Sequence, residues 1–297
     1  MNWSAAQRRR LDPDRWHFQH GPIDLVIDLE TIDCDTSAAI ADSLIDAAWA
    51  RFPGILENLV ADLANLRLPA SEAPRLNSAV GRRMLEACAP FAAHRFITPM
   101  AAVAGAVADE LIQVFDHPSV RRAAINNGGD IALRLTAGAV HRIGIWSRLD
   151  RPMQGGAPLD AAFTLHADDP TRGIATSGWR GRSFSLGVAD SVTVLAASAA
   201  AADAAATLIA NAVDCDHPAI QRVPAEQLKD DTDLGARLVT VDVASLPDAA
   251  VTLALEAGRA EAEHWLERGA IHAAAIFLQG RTRIVSVDRL IQGRAVA

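Results

Sequence analysis

The sequence predicts an α+β fold, and three observations predict it. Strand-like and helix-like segments fall in separate groups along the chain and do not alternate as regular βαβ units do. The strand-like segments are short and divided by turn signals. The chain has 297 residues, half of them hydrophobic, with no short-period repeat and no linker-like stretch, which suits one compact domain over residues 1–297.

Residues 23–30 alternate apolar and acidic, as a half-buried strand does. Ala38 to Arg51 and Ile55 to Leu68 have helical periodicity, and Pro53 falls near the start of the second helix, where proline is tolerated. Pro69 to Arg75 reads as a loop and Ser78 to Phe91 as a helix. Pro99 to Phe115 is a small-residue helix with Thr98 as its N-cap. Short strands are expected at 122–127, 131–136, 140–146, 159–166, 182–187 and 190–196, with a hairpin-type connection at Thr136-Ala137-Gly138. Ala199 to Val213 is an alanine-rich helix, Leu238 to Val243 a strand and Ala249 to Arg268 a long helix. The last expected element is a hairpin of Ala273 to Gln279 and Thr282 to Val287 through Gly280-Arg281.

Composition excludes several function classes. The formal net charge is −8, which argues against a protein that tracks a nucleic-acid backbone. Lys229 is the single lysine and tyrosine is absent, so neither residue type carries much catalysis. Cys34, Cys88 and Cys215 form no CxxC pair and are odd in number, which points away from a disulfide framework and toward a reducing, cytoplasmic compartment. Arg8-Arg9-Arg10 is not followed by an apolar run, so residues 1–18 do not read as a signal peptide, and no segment reads as a membrane span.

Four segments carry candidate chemistry. In Ala202-Asp203-Ala204-Ala205-Ala206-Thr207, an acid and a hydroxyl four positions apart share a helix face. Two oxygens aimed at one spot suit a hard cation such as Mg²⁺, which keeps positions for water and phosphate. A buried helix whose threonine bonds back to a carbonyl accounts for the same residues. Asn127-Gly128-Gly129-Asp130 permits positive φ and close approach of a ligand, and also satisfies an ordinary hairpin turn. Ala101 to Asp109 is rich in small residues, as tight helix packing requires. Ile174-Ala175-Thr176-Ser177-Gly178 offers two hydroxyls beside a glycine, or a plain strand end. No Gly-x-Ser-x-Gly elbow surrounds Ser177, which argues against a serine nucleophile.

In that order and spacing, these segments resemble the ApbE superfamily, best known for FAD-dependent flavin transferases. The resemblance covers about residues 95–215 and marks a divergent branch. It implies helices packed on an antiparallel sheet. It implies Mg²⁺ held by the Ala102 carbonyl, Asp203 and Thr207, and FAD or FMN beside Asn127, Gly128, Gly129, Asp130, Thr176, Ser177 and Gly178. The chain departs from the family pattern twice. Ala104 is followed directly by Gly105, where the family often has Ala-Lys-Gly. Gly187-Val188-Ala189-Asp190 stands where transferases carry a histidine before Asp-Pro, and no histidine lies between His166 and His217. That histidine is the expected general base for the acceptor hydroxyl.

The leading expectation is therefore a protein that binds a phosphate-containing small molecule, a flavin nucleotide, through Mg²⁺, as a degenerate flavin transferase. One alternative reuses the scaffold for hydrolysis or isomerisation of a small polar metabolite, with His94, Asp130, Thr176 and Asp190 as working groups. Another is a non-catalytic flavin carrier. The expected partner is a small-molecule ligand, with neither nucleic acid nor membrane, and self-association as a homo-oligomer is left open.

Overall fold

The computed structural model describes residues 3–32, 37–145 and 161–286. Strands β1 (Gln7–Asp12), β2 (Arg15–His20) and β3 (Ile23–Thr31) precede helices α1 (Ser37–Leu66) and α2 (Ala79–Ala92). Helix α3 (Val103–Ile112) lies between single 3-10 turns at Pro99–Ala102 and Gln113–Phe115. Strands β4 (Val120–Asn127), β5 (Asp130–Leu135), β6 (Val140–Ile145), β7 (Ala161–His166), β8 (Gly173–Ser177) and β9 (Ser191–Ala196) lead to helix α4 (Ala199–Ala212). Then come β10 (Ile220–Pro224), α5 (Ala225–Leu228), β11 (Leu238–Val243), α6 (Asp248–Glu267), β12 (Ala273–Leu278) and β13 (Arg281–Ser286). The fold class is α+β with antiparallel strand pairing, in agreement with the sequence-based expectation. No helix among the described residues is long and apolar enough to cross a membrane.

The described residues fall into two compact units. The first draws on residues 1–141, 166–175 and 196–203, and the second on 142–165, 176–195 and 204–297. In the first unit β1, β2, β3, β4, β5 and the start of β8 pair in that order. The alternation of β3 puts Ile23, Leu25, Ile27 and Leu29 on the buried face. Helix α1 covers it with a stripe at helical spacing: Ala41, Ile45, Ala48, Phe52, Ile55, Leu56 and Leu59, all buried. Phe18 sits edge-on to Trp49 with ring centroids 5.1 Å apart, and lies 5.4 Å from Phe52.

In the second unit the end of β8, then β9, β12 and β13, lie side by side. Every residue of β9 and β12 is buried, which explains their near-continuous apolar sequence. Helix α6 packs on β12 and β13.

Four expectations are corrected. Two helices were expected across residues 38–68, and there is one, with Pro53 inside it. The apolar stripe stays in phase across Pro53, so packing holds the helix together over the missing hydrogen bond. Residues 182–187, expected as a strand, form none. That segment is held by side chains instead: the Leu186 N–H and Ser185 hydroxyl donate to Asn211 Oδ1 at 2.8 and 3.2 Å. Strands β1 and β2 were not anticipated. β1 is exposed along its whole length, and an edge strand rich in arginine carries no alternation to read. Thr98 precedes the 3-10 turn, but its side chain makes no cap bond. The ends of the expected strands at 146, 159–160 and 287, and Cys34, lie outside the described residues.

A carboxylate from α1 fixes the start of α2. Asp62 accepts the Asn77 and Ser78 N–H groups at 3.0 and 2.8 Å, the Ser78 hydroxyl at 2.7 Å and the Asn77 amide at 3.1 Å. Ser78 in turn accepts the Gly81 N–H at 3.0 Å as N-cap. Burial acts to raise the Asp62 pKa, but the hydrogen bonds from Ser78 and Asn77 outweigh it and hold the carboxyl below its usual range. A depressed carboxylate pKa gives stability that is present above the unfolded value near 4 and lost as pH falls through the folded one. Asp62→Ala is expected to cost about 2 kcal/mol at neutral pH, the scale of lost charged hydrogen bonds. The loss should shrink as pH falls below the ordinary carboxylate range and the wild-type carboxyl takes up its own proton, and urea unfolding at neutral and at acid pH checks this.

Candidate functional site

The site in the first unit is built where α3 and α4 begin. An α-helix leaves its first N–H groups without partners in the helix. At the start of α4 each of these is accounted for. Ala199 and Ala200 N–H donate to Asp109 Oδ1 and Oδ2 at 3.0 and 2.8 Å. Ala201 N–H donates to the Ser198 hydroxyl at 3.2 Å, and Ala202 N–H to the Ser198 carbonyl at 3.0 Å. At the start of α3 the arrangement is returned. Gly105 N–H donates to Asp203 Oδ2 at 3.1 Å, and Ala104 N–H also donates to Asp203. Ala102, at the N-cap position, has no side chain with which to do this itself.

The two helix starts approach through missing side chains. A Cβ at Gly105 would lie 2.3 Å from the Ala199 carbonyl oxygen and 2.6 Å from Ala200 N. A Cβ at Gly173 would lie 1.9 Å from the Ser198 carbonyl carbon. Ala102, Ala106 and Ala108 on one segment, and Ala199, Ala200 and Ala202 on the other, are buried.

The hairpin between β4 and β5 completes the site. Asn127 and Asp130 pair across it, and Gly128 and Gly129 form the two-residue loop with φ of 68° and 115°. A Cβ at Gly129 would meet nothing within 4 Å, so the turn's conformation, not close approach, asks for glycine there. Asn126 Oδ1 accepts the Gly129 N–H at 2.8 Å. Asn127 Nδ2 donates to the Ala104 carbonyl at 3.0 Å, which ties the base of the hairpin to the first turn of α3. Asn127 and Asp130 are both buried.

Asp203 and Asp109 thus sit at two adjoining helix starts, and the charge of Asp130 acts on Asp203. Desolvation raises the Asp203 pKa well above its ordinary value, and the charge of Asp130 adds to that. The N–H groups of Gly105 and Ala104 act in the opposite direction but do not win. Asp203 keeps part of its surface accessible, yet protein surrounds the carboxylate densely enough for desolvation to lead. Asp109 is also raised, chiefly by burial, against the helix N–H groups and Arg83. Cys88 is buried, donates to the Thr98 carbonyl at 3.4 Å and is pushed up by burial and by the Asp203 charge. Among the described residues no three His, Cys, Asp or Glu side chains converge as a metal centre.

The structure therefore brings together Asn127, Asp130, Asp203 and the end of α3 that carries Ala102. Thr207 stands one turn beyond Asp203 on the same face of α4, half-buried, in the second unit. Thr176, Ser177 and Gly178 also belong to the second unit. There Thr176 Oγ1 meets Thr193 Oγ1 at 2.9 Å, and a Cβ at Gly178 would lie 2.5 Å from the Asp190 carbonyl. Asp190 Oδ2 accepts the Gln279 N–H at 2.6 Å, a bond that holds the turn between β12 and β13. His94 is exposed in the turn after α2.

Sequence reasoning gave no role to Asp109 or Asn126. For Asp109 a signal was present: Gly105 and Asp109 stand four apart on α3, as Ala199 and Asp203 do on α4.

A family model described as AbpE bacteria matches residues 6–284, and the chain belongs to that family. This agrees with the resemblance to the ApbE superfamily seen in the sequence. A UPF0280 protein of Methanopyrus kandleri is 38% identical over 146 residues, 48% of this chain and 54% of that protein. A UPF0280 protein of Methanothrix thermoacetophila is 35% identical over 154 residues, 50% of this chain and 56% of that one. The chain spans about half the length of the curated relatives it matches. The crystal structure of an ApbE protein from Thermotoga maritima aligns over 95% of this chain and 96% of that one, with TM-score 0.48 and 13% identity.

Two outcomes test this geometry. Gly105→Ala should destabilise the protein by about 3 kcal/mol, the upper end for overpacking, because its methyl group meets backbone rather than a yielding side chain. Denaturant titration measures it. The pH response of Asp203 and Asp109 should oppose that of Asp62. Their raised folded values mean that the native state holds protons more tightly than the unfolded one. Stability is therefore lost as pH rises from about 4 through the raised values, each acid contributing a slope of at most about 1.4 kcal/mol per pH unit. Asp203→Asn should flatten part of that decline in melting temperatures taken from pH 4 to 8.

Proposed function

We propose that Asp203 and Asp130 hold a divalent hard cation of the Mg²⁺ type and, through it, the phosphate of a small-molecule ligand. The observation that carries this reading is the Asp203 carboxylate held by the N–H groups of Gly105 and Ala104 at the start of α3, with the charge of Asp130 acting on it. A cation there would offset that charge. The donors available in the first unit fit Mg²⁺: carboxylate oxygens and main-chain carbonyls at the start of α3, Ala102 among them. With two acids supplying charge, the shell is completed by neutral oxygens and water, as Mg²⁺ prefers.

The family resemblance supports a flavin nucleotide, FAD or FMN, as the ligand. Mg²⁺ bound there supplies charge neutralisation and Lewis-acid polarisation of a diphosphate. The chain's own residues support binding more than transfer. Asp190, in the place where transferases follow their histidine, spends a carboxylate oxygen on the Gln279 N–H. Without a general base the rate falls by about 10²–10⁴-fold.

The test is calorimetry with Mg²⁺ and FAD, followed by incubation of both with an acceptor peptide and in-gel flavin fluorescence. Mg²⁺-dependent FAD binding that weakens at least tenfold, about 1.4 kcal/mol, in Asp203→Ala is expected, with faint or no labelling. Strong labelling that depends on Asp203 would restore full flavin transfer. Absence of both cation and FAD binding would overturn the reading, and turnover of a small metabolite dependent on His94 or Asp190 would replace it.

A further inference from the structure

We propose that Asp109 is a positioning residue for the cation site: it fixes the turn of α4 on which Asp203 stands, and so sets the affinity of that site for a divalent cation. This role rests on the reading of Asp203 and Asp130 given above, and it falls to an acid that does not face the cation.

One peptide group carries the geometry. The peptide joining Ala199 to Ala200 is gripped from two sides by α3. Gly105 leaves the space into which it packs, since a Cβ there would lie 2.3 to 2.6 Å from its atoms. Asp109, four residues on and so on the same face of α3, accepts the Ala200 N–H at 2.8 Å and the Ala199 N–H at 3.0 Å. Two bonds from one carboxylate fix both the height and the rotation of the first turn of α4. Asp203 follows Ala199 by four residues, so its direction is set by that rotation. It points back to Gly105 and Ala104, the turn of α3 that precedes Asp109. A rotation of α4 by a fraction of a turn would take the Asp203 carboxylate away from both α3 and Asp130. Cation sites tolerate little such displacement, because Mg²⁺ holds its ligands near octahedral positions at about 2.1 Å.

Asp109 is only 7% exposed, and its oxygens are taken by α4 rather than turned toward a ligand. Its effect on binding is therefore indirect. An ordinary helix cap would affect stability alone, and the control for that is Asp62, which caps α2 from α1 by the same chemistry.

The experiment is Mn²⁺ titration, read by electron paramagnetic resonance, of the wild-type chain, Asp109→Ala, Asp109→Asn, Asp203→Asn and Asp62→Ala. Asp109→Ala is expected to bind Mn²⁺ about tenfold more weakly, equivalent to about 1.4 kcal/mol. Asp109→Asn keeps one acceptor oxygen and should recover part of the loss. Asp62→Ala should be destabilised and yet bind within about twofold of wild type, since it lies on other helices. Equal affinity of Asp109→Ala and wild type, with binding lost in Asp203→Asn, would overturn the positioning role. So would equal weakening in Asp109→Ala and Asp62→Ala. Failure of the wild type to bind Mn²⁺ would sink the site reading instead. The positioning claim would then be decided by amide hydrogen exchange at Ala104 and Gly105. Faster exchange there in Asp109→Ala but not in Asp62→Ala would uphold it, and unchanged exchange would refute it.

Discussion

The first unit depends on an exchange of carboxylates between two helices. Asp109 of α3 closes the N-terminus of α4, and Asp203 of α4 closes the N-terminus of α3. Neither helix carries a full cap of its own: Ala102 precedes α3, and Ser198 serves only the third and fourth N–H groups of α4. Each acid is placed where the helix dipole favours negative charge. The exchange requires the helix starts to be nearly in backbone contact, so the residues between them must be glycine and alanine. Gly105, Gly173 and the buried alanines are the consequence of that distance rather than separate features.

The same arrangement concentrates charge. Helix N–H groups stabilise an anion, but burial and the neighbouring acids act against it, and for both Asp109 and Asp203 the net effect is a raised pKa. Asp62 shows the contrast. It accepts a larger set of bonds at the start of α2, and its carboxyl is held below the ordinary range. Four donor groups converge on Asp62 against two N–H groups on Asp203, and the charge of Asp130 acts on Asp203 besides.

Much of this was legible in the sequence, and what was missed has physical causes. The α+β class, α3, α4, the β4–β5 hairpin and the β12–β13 hairpin all follow from periodicity and turn residues. The unbroken α1 was hidden because Pro53 is a local signal, whereas the stripe that overrides it is tertiary. Strand β1 is an exposed, arginine-rich edge where burial leaves no pattern, and the alternation of β2 rests on Trp16 and Phe18 within six residues. For the candidate site, the Asp203–Thr207 spacing suggested only what the acid could ligate. That it reaches across 98 positions to the Gly105 N–H is a contact between distant segments, which spacing within one segment cannot express. The matched pairs Gly105–Asp109 and Ala199–Asp203 were readable, but only after the helices are known to meet.

The structural and chemical roles of Asp203 do not exclude each other. A carboxylate has two oxygens and about four lone-pair directions. Two N–H donors at the start of α3 occupy part of that capacity and hold the group in one orientation. A ligand oxygen needs the same fixing, because a metal site gains from donors that are already aligned before the ion arrives. An acid used purely as a cap would serve equally well on its own, far from other acids. An acid used purely as a ligand would need some other group to hold it. Asp203 is held by α3, the charge of Asp130 acts on it, and its own helix is held in turn by Asp109. The cap is thus the means by which the helix pair holds the carboxylate in one direction.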